Sequence, residues 1–278
     1  MLFLFFTIFL TVSLFLIFKE FGRRKVDTLQ AIVFNYLGAA VLGLLFGSAG
    51  YTYHIVLEPW FYPTLLLGVL FILIFNVMAI TTQKLGVSVG ALASKMSLII
   101  PVIAAFFFQN ESISSTKLIG VALALIAVCL TLKKETKKSN GVYLALLLFI
   151  GAGLLDTLLS QIRYSYLSEA KDLDHFTVTV FLVAFLIGLG VLVLKKVAIS
   201  SRSVLAGLLL AIPNYFSIYF VLRSLELMDS SLVFPILNIA VVLLSAIIGW
   251  AHYKESLKFW NWLGVVLATV SILILMFA

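Results

Sequence analysis

The sequence is poor in charge and in cysteine. Charged residues make up 11% of the chain, less than half of the share of about one quarter that soluble domains carry. So few polar groups cannot cover the surface of a soluble domain of this size. A soluble enzyme, a nucleic-acid-binding domain and a disordered tail are therefore excluded. The single cysteine, Cys129, also excludes an intrachain disulfide.

Hydrophobic residues, in contrast, fill 63% of the chain, and the mean hydropathy is +1.19. They form continuous apolar runs, most of them close to the roughly 20 residues that a helix needs to cross a bilayer. The sequence therefore predicts an all-α integral membrane protein with ten transmembrane helices. The predicted spans are 2–18, 28–49, 60–82, 87–109, 116–132, 141–162, 175–194, 202–222, 229–253 and 258–278.

The basic residues are distributed unevenly among the loops between these spans. Counted from the N-terminus, the odd-numbered loops carry 14 of the 19 Lys and Arg residues, and the even-numbered loops carry 4. Short basic loops stay in the cytoplasm, and this bias sets the orientation of the whole chain. The count predicts that the odd-numbered loops are cytoplasmic and that both termini are outside. It also predicts a multi-pass protein of the inner (cytoplasmic) membrane.

The two halves of the chain carry a glutamate and a glycine at matching positions. Glu111 closes the predicted fourth span and Glu255 closes the ninth, while Gly120 and Gly264 lie in the spans that follow. Each pair is separated by 144 residues. Because each half contains five spans, an odd number, the second half is expected to be inverted in the membrane relative to the first. Inverted repeats are typical of secondary transporters, which bind substrate where the repeats meet.

Ten spans as five plus five, Pro101 within the fourth span and the two glutamates resemble the EamA-like family of the drug/metabolite transporter superfamily. The resemblance covers the whole chain. It implies two EamA-like five-helix repeats, 1–138 and 139–278, around a central cavity lined by spans one, three, four, six, eight and nine. It also implies transport, in a family whose substrates include amino acids, sugars, nucleotides and drugs. The better-known members keep both termini in the cytoplasm, so the resemblance and the charge count predict opposite orientations.

Two charged residues lie inside predicted spans and away from the span ends, Lys95 in the fourth and Asp156 in the sixth. A charge at the membrane centre costs roughly 2.5–3.5 kcal/mol on insertion scales and by default marks a functional site. Lys95 is about 12 Å into its span, close to the midplane. In the functional interpretation, Lys95 binds an anionic or carboxylate group of the substrate, and Asp156 pairs with Lys95 or binds a coupling proton. The structural alternative is a buried ion pair that joins two helices.

Four polar residues complete the predicted substrate site. Asn238 is the mid-span member of a stripe that recurs every seven residues in the ninth span, which indicates one polar face turned away from lipid. Asn214 and Tyr215 follow a proline in the eighth span, where the freed carbonyl is tolerated beside a cavity. Asn76 is in the third span. For each of them, interhelical packing is an equal alternative. Asn35, in the second span, is interpreted as structural.

These observations together predict a secondary active transporter that exports a small polar metabolite or drug-like solute. The expected partners are that solute, the lipid bilayer and a coupling proton or cation, with no nucleic acid, no cofactor and no metal. The protein is expected to be a monomer or a homodimer. The alternatives are a polytopic membrane enzyme and a flippase for a lipid-linked substrate. An enzyme is disfavoured because the three histidines of the chain are far apart.

Overall fold

The structure is a computed structural model that describes residues 1–47, 53–108, 115–132, 141–167, 170–228 and 230–277. Throughout these ranges the regular elements are helices: eleven α-helices and one short 3₁₀ segment at Tyr53–Leu57. The α-helices are α1 (Leu2–Arg23), α2 (Thr28–Phe46), α3 (Phe61–Leu85), α4 (Val87–Met96), α5 (Ile99–Phe108), α6 (Ser115–Leu132), α7 (Val142–Tyr166), α8 (Ala170–Leu194), α9 (Ser201–Leu227), α10 (Ser230–Ala251) and α11 (Phe259–Phe277).

Six of these helices, α1, α2, α3, α7, α8 and α9, are long and apolar enough to cross a bilayer. Four shorter apolar segments lie at 87–101, 118–127, 236–251 and 259–275. Large apolar side chains such as Leu45, Leu66 and Leu186 are exposed on the helix surfaces, as is expected where the surrounding solvent is lipid. The prediction of an all-helical, multi-pass membrane protein is therefore confirmed.

The helices are grouped in two compact units. The first unit comprises residues 1–20, 77–154 and 216–278. One apolar cluster of its core joins α4, α6, α10 and α11. Helix α6 packs against α11, where the Ser271 hydroxyl donates to the Gly120 carbonyl oxygen at 2.7 Å. A Cβ atom on Gly120 would lie 2.7 Å from Leu275, so the missing side chain allows the two helices to approach.

The second unit comprises residues 21–76 and 155–215. Here α2 packs against α8, and the small residue Gly188 faces Val33. The buried Tyr36 on α2 is surrounded by the rings of Phe71, Phe75 and Phe181. Its hydroxyl donates to the Phe71 carbonyl oxygen at 2.8 Å, which satisfies the polar end of an otherwise apolar side chain.

Candidate functional site

The predicted fourth span, 87–109, is two helices in the structure. Helix α4 ends at Met96, a turn occupies Ser97 and Leu98, and α5 begins at Ile99. Pro101 provides the physical reason: it has no N–H to donate to the carbonyl oxygen of Ser97, four residues before it. That oxygen instead accepts the N–H of Ile100 at 2.9 Å, which closes a tighter turn. Interrupted helices are typical of transporter binding sites.

Lys95 lies in the last turn of α4, immediately before this interruption. Its side chain is half-buried. The carbonyl groups at a helix C-terminus carry a partial negative charge that stabilises a cation. The neighbouring turn places the Ser97 hydroxyl on the Ser94 carbonyl oxygen at 2.6 Å. Lys95 is therefore a half-buried basic residue of an apolar segment, in the last turn of a helix.

The residues beside Lys95 are anchored in the core of the first unit. Leu92, Met96 and Ile99 are all buried, on both sides of the interruption. They pack in one cluster with apolar residues of α6, α10 and α11, among them Ala124, Val242, Ala246, Val265 and Ala268. Packing on both sides therefore holds the interruption in place, and with it the backbone of Lys95 within the first unit.

Helix α10, in the same unit, carries the predicted polar stripe. Asn238 and Ser245 are buried, while His252 is exposed beyond the end of the helix. The side chain of Ser231 lies outside the described residues. The Ser245 hydroxyl has no hydrogen-bond partner among the residues that the structure describes. A buried polar atom of this kind is uncommon in native proteins. The stripe on α10 therefore includes a hydroxyl that can still form a hydrogen bond.

Glu255 has a structural role that the sequence did not reveal. Its carboxylate accepts the main-chain N–H of Val87 at 2.6 Å, and the N–H and hydroxyl of Ser88 at 3.2 Å and 2.6 Å. These groups begin α4, whose N-cap residue Gly86 provides no capping side chain. A carboxylate at a helix N-terminus satisfies orphan N–H groups and matches the positive end of the helix dipole. Glu255 therefore caps α4 from a distant part of the chain.

Two glycines make room for this carboxylate. Gly86 has φ +114°, and a Cβ atom there would lie 2.6 Å from the carboxylate carbon of Glu255. A Cβ atom on Gly249 would lie 2.5 Å from the Oε2 atom. On the other side of the junction, the Lys19 ammonium donates to the carbonyl oxygens of Thr82 and Gln83 at the end of α3. The junction between α3 and α4 is thus bound on one side by the Lys19 ammonium and on the other by the Glu255 carboxylate.

The predicted residues of the second unit differ in their surroundings. Asn214 is buried and donates to the Oδ1 atom of the fully buried Asn35 at 3.3 Å. The Nδ2 atom of Asn35 has no partner within the described ranges. Asn35, interpreted as structural, and Asn214, interpreted as a site residue, are therefore one hydrogen-bonded pair. Tyr215 is buried beside them in sequence, and its ring faces Gly43 on α2.

Asn76 and Asp156 also belong to the second unit. The Asn76 amide donates to the Ile72 carbonyl oxygen of its own helix at 2.8 Å, so part of its hydrogen-bonding capacity is used locally. Asp156 is exposed on α7. Lys95 and Asn238 belong to the first unit, so the six predicted site residues are divided between the two. The predicted pair of Lys95 and Asp156 stays a prediction, as does a substrate-binding role for all six.

Comparison with known proteins identifies the class to which this membrane fold belongs. The model of the EamA-like transporter family matches residues 139–277, half of the chain. An uncharacterised protein of Haemophilus influenzae (strain ATCC 51907 / DSM 11121 / KW20 / Rd) is 30% identical over 284 residues, which covers 97% of this chain and 95% of that protein. The chain belongs to the EamA-like transporter family. It is therefore related to membrane transporters, as its resemblance predicted.

A solved structure supports the fold at a lower level of sequence similarity. It is described as the crystal structure of a protein, and it superposes with a TM-score of 0.60 at 14% sequence identity. The match covers 98% of this chain and 94% of that chain. At this identity the likeness concerns the fold alone.

Proposed function

We propose that this protein is a secondary active transporter that exports a small polar metabolite or drug-like solute across the cytoplasmic membrane. Membership of a transporter family supports the transport class. Six long and four shorter apolar helical segments support a multi-pass arrangement. Because the chain has no Walker-type glycine-rich loop, a gradient of protons or cations is the proposed driving force instead of ATP.

In the proposed architecture, ten spans form two inverted five-helix repeats, 1–138 and 139–278, around a central cavity. Helices α4 and α5 together make one interrupted span, which accounts for eleven α-helices among the described residues and ten spans. The supporting observation is that 87–101 is a single apolar segment across the turn at Ser97. Interrupted spans near the midplane provide polar backbone where a transported solute needs it.

The single observation that carries the proposal is the position of Lys95 at the end of α4. An ammonium group in the middle of an apolar segment must be compensated by an anion, by backbone carbonyls or by water. The C-terminus of α4 provides part of that compensation. The proposed ligand of this ammonium group is an anionic group of the substrate, of which a carboxylate is the simplest. Asn238 on α10 then supplies an uncharged hydrogen-bonding group for the other polar groups of the substrate.

The experiment begins with the purified full-length protein in a neutral detergent. Carboxylate-bearing, cationic and neutral polar solutes are screened for a rise in melting temperature, because a ligand that binds only the folded state stabilises it by about 2.7 kcal/mol at 100 times its Kd. Each stabilising solute is then tested for counterflow in proteoliposomes, with protein-free liposomes as the control. Mass spectrometry of the recovered solute separates transport from an enzymatic reaction.

The proposal predicts that carboxylate-bearing solutes stabilise the protein and are exchanged across the membrane chemically unchanged. Recovery of a chemically altered solute would instead identify a membrane enzyme. Stabilisation and movement of a lipid-linked solute alone would identify a flippase. Binding without counterflow under any imposed proton or cation gradient would contradict the transport proposal directly.

A further inference from the structure

The loop between α1 and α2 and the loop between α8 and α9 are joined by hydrogen bonds of two side chains, one in the first turn of α2 and one in the first turn of α9. The Gln30 amide donates to the Ala198 carbonyl oxygen at 3.0 Å and accepts the N–H of Ser200 at 2.9 Å. The main-chain N–H of Asp27 donates to the Ser203 hydroxyl at 3.2 Å. Gln30 and Ser203 are both buried. The two loops, far apart in sequence, therefore form one surface within the second unit.

Six basic residues are exposed on this surface, which we call the basic face: Arg23, Arg24 and Lys25 from the first loop, and Lys195, Lys196 and Arg202 from the second. One acidic residue, Asp27, lies in the loop segments 23–27 and 195–203. Its carboxylate accepts the main-chain N–H of Gln30 at 3.1 Å as the N-cap of α2. The six basic residues outnumber this one carboxylate, so the basic face carries a net positive charge.

Two lysines of the basic face have a left-handed backbone conformation. Lys25 and Lys196 have φ angles of +54° and +50°, a region that favours glycine. Each lies at the end of a helix, where the following valine N–H closes the last turn: Val26 on Phe21 at 2.9 Å and Val197 on Leu192 at 3.1 Å. Glycine is the residue that most often follows a helix in this arrangement. Lys254, which follows α10, has a φ angle of +53°, so this conformation is not particular to the basic face.

Apolar side chains lie directly beside the basic residues. Val193, Leu194 and Ile199 are 68%, 84% and 59% exposed. Leu194 precedes Lys195, and Ile199 lies between Lys196 and Arg202 in sequence. A surface that alternates apolar groups with cations matches the boundary between acyl chains and phosphate headgroups. A free anion in water would contact only the basic residues and not these apolar side chains.

We infer that the basic face binds the phosphate of an anionic phospholipid, such as phosphatidylglycerol, in the cytoplasmic leaflet. Lys and Arg donate charge-assisted hydrogen bonds to phosphate oxygens, and each basic residue near an anionic membrane surface contributes to the attraction. The apolar side chains contact the acyl chains of the same lipid. This binding site is independent of the solute that the protein transports, so it stands or falls separately from the proposed transport function.

The wild-type protein provides the first test. Purified full-length protein in a neutral detergent is titrated with phosphatidylglycerol, and its melting temperature is compared with that in phosphatidylcholine. We expect phosphatidylglycerol to raise the melting temperature by several degrees and phosphatidylcholine to leave it unchanged. The shift should disappear near 1 M NaCl, where charges are screened beyond about 3 Å. A shift that does not depend on salt, or equal shifts with both lipids, would overturn the assignment.

Two variants test whether the basic face causes the rise in melting temperature. The fourfold variant Lys25→Gln, Lys195→Gln, Lys196→Gln and Arg202→Gln should lose the response to phosphatidylglycerol. The control is Lys254→Gln with Lys258→Gln, which removes two exposed lysines from the loop after α10 and should keep the full response. A retained response in the fourfold variant, or a loss of equal size in the control, would overturn the proposal.

A second design remains informative even if the fourfold variant does not fold. Lys25→Gly with Lys196→Gly removes two charges and at the same time relieves two left-handed φ angles. We expect its melting temperature in neutral detergent to equal or exceed that of the wild type, while its response to phosphatidylglycerol falls. An undiminished response would contradict the proposal. Inorganic phosphate is tested in parallel: stabilisation as large as that by the lipid would show a site for a free anion and overturn the lipid assignment.

Discussion

The carboxylate of Glu255 accepts the main-chain N–H of Val87 at 2.6 Å, although 168 residues separate them in the chain. The same carboxylate accepts two further hydrogen bonds from Ser88. Helix α4 begins at Val87 and carries Lys95 in its last turn. A residue in the loop before α11 therefore fixes the start of the short helix whose other end bears the candidate substrate-binding ammonium.

Removal of this cap should destabilise the protein. Glu255→Ala leaves the first N–H groups of α4 without their acceptor, and we expect the free energy of unfolding to fall by about 1–3 kcal/mol. Glu255→Gln keeps one carbonyl oxygen and should lose less. Thermal unfolding in detergent measures both changes. Equal stability of Glu255→Ala and the wild type would show that water replaces the carboxylate and that the cap is not needed.

The two glycines around the carboxylate make a related prediction. Gly249→Ala places a methyl group 2.5 Å from Oε2 of Glu255, and Gly86→Ala adds strain at φ +114°. Either change should displace the carboxylate and lower the melting temperature.

Gly190 on α8 provides the matched control, because a Cβ atom there has nothing within 4 Å. Gly190→Ala should be neutral or stabilising by up to about 1 kcal/mol, since alanine is favoured within a helix. If all three substitutions lowered the melting temperature equally, the loss would be a general effect of replacing glycine and not a clash with Glu255.

The interruption between α4 and α5 is predicted to depend on Pro101. Pro101→Ala restores an N–H that can bond to the Ser97 carbonyl oxygen, so we expect α4 and α5 to join into one continuous helix. The melting temperature should be maintained or rise, and counterflow should fall at least tenfold. Hydrogen exchange over residues 94–102 measures the new helix.

Pro63 is a suitable control for this prediction, because it lies in the first turn of α3, where proline leaves no helical hydrogen bond unmade. Pro63→Ala should leave both exchange and transport unchanged. Slower exchange at 94–102 with full transport activity would show that the interruption exists but is not used.

Orientation is predicted from charge alone. The 14-to-4 distribution of Lys and Arg between odd and even loops places both termini outside. The joined loops of the basic face are the first and the seventh, both odd-numbered, so within that unit the structure places two basic loops together. A phosphatase fused at the C-terminus should be active and a fluorescent protein fused there should be dark. The reverse result would show that the orientation of the better-known family members holds here.

Much of the fold could be predicted from the sequence because lipid imposes a simple rule on it. An apolar run of about 20 residues must form a helix, and the predicted spans 28–49, 60–82 and 141–162 correspond to α2, α3 and α7 within a few residues. The fourth span was predicted as one helix because its apolar run is unbroken. Hydropathy does not detect a proline that removes a single hydrogen bond.

The candidate site was less accessible to sequence reasoning because its contacts join distant segments. Nothing near Gly86 indicates that the helix that follows it is capped by Glu255. The pairing of Asn35 with Asn214 depends on the packing of α2 against α9, which no local pattern specifies. Lys95 was found because a charge in an apolar run is visible without any structure.

The central claim, that Lys95 binds the substrate, is tested most directly by counterflow in proteoliposomes with Lys95→Met. Lys84→Met, an exposed lysine at the end of α3, serves as the control. We predict that Lys95→Met keeps the melting temperature of the wild type or raises it, because the cost of burying a charge is removed, and that it loses both counterflow and stabilisation by carboxylate-bearing solutes. Full activity in Lys95→Met, or in the double variant of Lys95→Met with Asp156→Leu, would contradict the claim and leave Lys95 as a structural charge.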